Sequence, residues 1–87
     1  MTRNELHDMI QNELVSNHIP HVEIKIMDVF RDESVTGEVY GYKYHALKVV
    51  VTLTDPEMKM IESALTRIYN IVMGCMPVDR VCEIELE

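Results

Sequence analysis

His18-Ile19-Pro20-His21, with Glu23 two positions further on, is the first place in this chain where side chains of metal-binding type gather. Two imidazoles and a carboxylate suit zinc-like ions. Pro20, however, prevents presentation of both histidines from one helical turn, and nothing completes a known ligand spacing, so ordinary loop histidines are expected. Glu23-Ile24-Lys25 has the E-x-K form that metal-dependent nucleases carry on a strand. Such a site also needs an aspartate from a preceding strand, and Asp55-Pro56 lies downstream, where it caps a helix. Ser16, Ser34 and Ser63 lack a G-x-S-x-G turn, and Gly37, Gly41 and Gly74 form no phosphate-cradling loop. His7 and His45 stand alone. Cys75 and Cys82, seven positions apart, read as free, mostly buried thiols. The expectation is a protein without catalysis, metal or cofactor.

Binding is the chemistry that remains. Tyr40-Gly41-Tyr42-Lys43-Tyr44 places three of the five aromatic rings at strand period, hence on one face. A row of amphipathic rings is half a core, a protein interface or a stacking platform for a base or small ligand. Near the other end, Glu83, Glu85 and Glu87, with Asp79, form an acidic stripe suited to a basic partner or to water. The candidate interface is therefore Tyr40, Tyr42, Tyr44, Lys43, Glu83, Glu85 and Glu87. Met58, Met60, Met73 and Met76 read as core filler, with an adaptable binding surface as the alternative.

Charge narrows the partner. The 87 residues carry a formal net charge of −7. The eight basic residues form no run, although Lys43 and Lys48 share one strand as a local basic spot. This opposes binding to a phosphate backbone and favours another protein, basic in character. With 47% apolar and 26% charged residues the chain reads as one globular domain, 1–87. A domain this small has a stability of only about 5 kcal/mol, so a homodimer or higher oligomer is expected. No apolar run is long enough for a membrane span, and the start has no export-signal pattern, which places the expected location in the cytoplasm.

Helical spacing of Leu6, Met9, Ile10 and Leu14 behind the capping box Thr2-x-x-Glu5 predicts a first helix to about Ser16. Val22, Ile24 and Ile26 alternate as a strand whose pattern slips at Met27, suggesting a bulge there, before a loop over Arg31–Gly37. Glu38 to Thr54 is β-like, but its apolar stripe changes phase near His45-Ala46. A straight strand sets the tyrosines opposite Leu47, Val49, Val51 and Leu53, whereas a bulge sets them alongside. The length, roughly 55 Å if extended, favours a bend or bulge. Asp55-Pro56-Glu57 starts a second helix with Ile61, Ala64, Leu65, Ile68 and Val72 buried, widened by Met58, Met60, Ile71 and Met73, ending at Gly74 as C′ residue. Val81–Leu86 is a last strand, with Cys82, Ile84 and Leu86 inward.

The fold expected is α+β, in the order α-β-β-α-β, with two helices on one face of a small three-stranded mixed sheet. This order, with Thr54-Asp55-Pro56 leading into an amphipathic helix and back to Val81–Leu86, resembles two families. One comprises iron–sulfur cluster assembly domains, whose members carry a cysteine just after the corresponding proline, where this chain has Glu57 and Met58. The other is the KH-like layout of ribosome-binding factor A, typically basic and RNA-facing, whereas this chain is acidic and has no G-x-x-G. The function expected is that of a small acidic non-enzymatic protein acting through protein–protein contact and self-association. A phage or mobile-element inhibitor of a basic, nucleic-acid-handling protein has this composition. The rival expectations are an RNA- or ribosome-associated KH-like module using Lys43, Lys48 and the tyrosines, and a small-ligand binder at the tyrosine stripe.

Overall fold

Three buried residues one helical turn apart, Leu6, Ile10 and Leu14, anchor the first element, α1 (Arg3–Ser16). The computed structural model describes residues 2–34 and 41–87, and of 33, 34, 41 and 42 the backbone alone. Thr2 caps α1, its hydroxyl accepting the Glu5 N–H at 3.1 Å. At the other end Ile19 N–H donates to Leu14 C=O and His18 N–H to Val15 C=O, a Schellman closure. His18 occupies its left-handed position, with φ of 57°. Ile19 and Leu14, joined by this closure, are both buried, and Pro20 prevents the helix from resuming.

Strands β1 (His21–Ser34), β2 (Gly41–Leu53) and β3 (Val81–Leu86) form one sheet in the order β1-β2-β3. β1 runs antiparallel to β2, and β3 runs parallel to it. The α-β-β-α-β order and mixed sheet match the sequence reading. The bulge does not lie at Met27. The one irregularity in the β1–β2 register falls at Val22, between the His21–Leu53 and Glu23–Thr52 pairs. The pattern slips at Asp28 for another reason: this carboxylate sits on the helix face, where Arg3 and Arg80 both bond it. The strand also continues through Arg31–Ser34, where a loop was expected, and Gly37 lies outside the described residues.

β2 is straight across His45-Ala46, each residue from Gly41 to Thr52 keeping step with β1. The bend or bulge expected from its length is not a bulge between Gly41 and Thr52. Leu47, Val49, Val51 and Leu53 face α1 and the second helix, α2 (Glu62–Cys75), whose Ile68, Val72 and Cys75 complete the core with Ile24 and Met76. Each such side chain removed from water contributes on the order of 2 kcal/mol.

Asp55 caps as expected, accepting the Glu57 N–H at 2.9 Å, but what it caps is a 3-10 turn, Pro56–Met60. Ile61 then takes extended backbone, natural for a β-branched residue, and α2 starts afresh at Glu62. Ile61 C=O accepts the Leu65 N–H at 3.0 Å, without a side-chain cap. α2 runs one residue past Gly74, to Cys75, so Gly74 lies inside the last turn and is not its C′ residue. Arg67 on α2 donates to Asn17 C=O, fastening the two helices at the C-terminus of α1.

Glycine is thus missing where the backbone asks for it and present where it does not. A Cβ at Gly74 would meet nothing within 4 Å. Gly74→Ala should raise stability by about 0.5–1 kcal/mol through helix propensity, and His18→Gly by a similar amount through relief of the left-handed residue, both read as shifts in denaturant midpoint.

Candidate protein-binding surface

Because β2 is straight, its even-numbered residues turn away from the helices. Tyr44, Ala46, Lys48, Val50 and Thr52 share that open face with Lys25, Met27, Val29 and Arg31 of β1 and Glu83 and Glu85 of β3. Arg31 reaches across β2 at the level of Ala46 and grips Glu83 with two bonds, Nε at 2.8 Å and Nη2 at 2.5 Å. Lys48 meets Glu85 at 3.2 Å. Beneath this lattice Ala46 and Val50 are buried, although they lie on the face without helices. Long charged side chains act here as a roof over small apolar ones. The Arg31 hydrogen bonds hold the Glu83 carboxyl below its ordinary pKa, against the opposing effect of burial.

The residues expected to form the site are thereby divided. Tyr44, half-buried, lies with Glu83 and Glu85 on the open face. Tyr42 is described only in its backbone, opposite Glu33, and Tyr40 lies outside the described residues. Lys43 is on the other face, opposite Asp32, so Lys43 and Lys48 do not make one basic spot. Glu83 and Glu85 are engaged with cations of their own sheet. Glu87 closes the ladder with its backbone, donating to Val51 C=O at 2.9 Å and accepting from Leu53 N–H at 2.6 Å.

The chemical candidates resolve into local structure. His18 serves the α1 closure, and His21 Nδ1 lies 3.3 Å from Ile19 C=O. Among the described residues no three His, Cys, Asp or Glu side chains converge as metal ligands. Glu23 and Lys25 pair loosely with each other at 4.0 Å. Cys75 and Cys82 are free thiols, and burial raises the pKa of both. That keeps them protonated and weakly nucleophilic. A cleft of about 210 Å³ lies beside the start of α1, but Asp28 spans it between Arg3 at 2.5 Å and Arg80 at 2.6 Å. These cations lower the Asp28 pKa, Arg80 most strongly.

An exposed apolar surface lies on α2, made of Ile61, Leu65, Met60 and Met73, which the sequence reading assigned to the core, and of Tyr69 and Val78, to which it gave no role. Ile61 is 52% exposed, Tyr69 42% and Met73 40%, in a line of every fourth residue that includes half-buried Leu65. Met60 is exposed at one end and Val78 fully exposed at the other. Two of the four methionines read as filler, Met60 and Met73, are therefore on the surface, while Met76 is buried and Met58 packs on the core. The extended Ile61 resets the helix phase and turns Met60 and Ile61 outward. Shallow grooves flank the line, one of about 220 Å³ by Leu65 and Tyr69 and one of about 360 Å³ by Met73, Val78 and Cys82. A signal was available: α2 carries more apolar positions than the stripe of roughly 100° that one core contact needs.

No family model matches the chain, and no curated protein or solved structure is significantly similar to it.

The acid response of the fold follows from the two lowered carboxylates. Their stabilisation is present above their unfolded values and is lost as pH falls through the folded ones, so stability should decline below about pH 4.5. Glu83→Gln and Asp28→Asn should each lower the denaturant midpoint at about pH 7 and flatten its fall toward about pH 3. An acid limb identical to that of the unaltered protein would contradict this assignment.

Proposed function

We propose that this chain is a non-enzymatic binding module whose partner, another protein, seats on the apolar line of α2. The supporting observation is the run Ile61, Leu65, Tyr69, Met73 and Val78, lying at the surface of a chain of net charge −7. Apolar and aromatic side chains ringed by polar ones are the usual anchors of such contacts. Glu62 and Asp79, both exposed, stand beside its two ends and suit a partner with a basic rim. A regulator or inhibitor of a basic, nucleic-acid-handling protein is the form of this function that the composition fits. The open sheet face supports the role less directly, since Arg31, Lys48, Glu83 and Glu85 already satisfy one another.

A photo-crosslinking side chain in place of Tyr69 or Val78 should give an adduct of one discrete mass in cells, absent when the same group replaces Gln11, exposed on α1. Met73→Glu should weaken the partner's binding roughly tenfold or more without unfolding the chain. Equal labelling from Gln11, or none from Tyr69 and Val78, would refute the reading. An adduct at twice the chain mass would assign the surface to a second copy.

A further inference from the structure

The cleft beside the start of α1 stands in line with an exposed aromatic pair. Asp28 and Leu47, which line the cleft, are partners in the β1–β2 ladder. Two residues further along each strand, about 7 Å away on the same face, the partners are Phe30 and His45. Phe30 is 57% exposed and His45 is exposed as well, their rings meeting edge to face at 5.3 Å between centroids. We propose that the cleft and the ring pair are two halves of one site, for a small ligand that joins a planar aromatic ring to a phosphate, as a nucleoside monophosphate does.

The phosphate half rests on Arg3 and Arg80. Arg31 grips Glu83 with two N–H groups, but Arg3 and Arg80 each spend one on Asp28, at opposite oxygens of its carboxylate. Most of each fork of donors is therefore unspent, and the two side chains are 61% and 40% exposed. One carboxylate cannot neutralise two guanidiniums, and by holding both it orients them in advance, which lowers the entropy cost of gripping an anion. Asp79, exposed at the same cleft, and the net charge of −7 limit how much further negative charge is welcome. The fitting anion is a single phosphate rather than a nucleic-acid backbone. At about 210 Å³ the cleft is smaller than the roughly 300 Å³ at which pockets for whole ligands begin, so the ring must lie outside it. Phe30 and His45 are the platform for it, since a planar base stacks on any aromatic face.

Titration of the whole chain with adenosine monophosphate, adenosine and inorganic phosphate, followed by the NMR signals of the backbone amides and the His45 ring, tests this. The nucleotide should bind with a Kd below about 1 mM and shift the signals of Arg3, Phe30, His45 and Arg80. Adenosine and phosphate alone should each bind at least roughly tenfold more weakly, because each has only one half of the site. Arg3→Gln and Phe30→Ser, both at exposed positions, should each weaken the nucleotide roughly tenfold with circular dichroism unchanged. No binding up to about 10 mM would overturn the proposal, as would shifts centred elsewhere or an affinity indifferent to both substitutions. Tighter binding of an oligothymidylate than of the nucleotide would also overturn it, by assigning the surface to a polyanion. None of these results bears on the α2 surface, which the Tyr69 and Val78 adducts report separately.

Discussion

The unbroken register of β2 against β1 is the constraint on which the rest of this molecule depends. A strand that does not bulge must send alternate side chains to opposite faces. With Leu47, Val49, Val51 and Leu53 committed to the helices, the even positions have no choice. Tyr44 is carried to the open face, Lys43 to the other, and Ala46 and Val50 are left apolar on a surface without helices. The ion pairs of Arg31 with Glu83 and of Lys48 with Glu85 answer that last demand. Their main product is the dry floor beneath them, since exposed pairs add little by themselves.

The second organising event is the extended backbone at Ile61. A helix continuous from Asp55 would have kept Ile61 in phase with Ile68 and Val72. The 3-10 turn instead delivers Met58 to the core and restarts the helix with another phase. α2 therefore has two apolar lines, one through Ile68, Val72 and Cys75 inside, the other through Ile61, Tyr69 and Met73 outside. The inner line suffices to close the core. The outer one stays about half exposed, and the proposed binding role rests on it.

What the sequence made legible was whatever its neighbours determine. The cap at Thr2, the periodicity of Leu6, Ile10 and Leu14, the inward row Cys82, Ile84 and Leu86, and the cap at Asp55 involve residues a few positions apart. The order of elements and the fold class followed from these. What stayed hidden depends on distant partners. Asp28 looked like a fault in a strand because its arginines stand 25 and 52 positions away. The straightness of β2 at Ala46 is tied to a bridge between residues 52 apart. The α2 surface was missed because an apolar side chain reads the same in a core and on an interface, and one residue of changed backbone decided between them.

The ion pairs of β3 have a consequence for the order in which the chain can assemble. Arg31–Glu83, Lys48–Glu85 and Arg80–Asp28 all join β3, or the residue before it, to the antiparallel pair β1–β2. That pair is local in sequence, whereas a parallel strand must wait for its crossover, here the whole of α2. The charged groups therefore act as a latch on the last step of folding. Acid takes the Asp28 and Glu83 ties out of that latch, and the hold of β3 then rests on its apolar row, Cys82, Ile84 and Leu86.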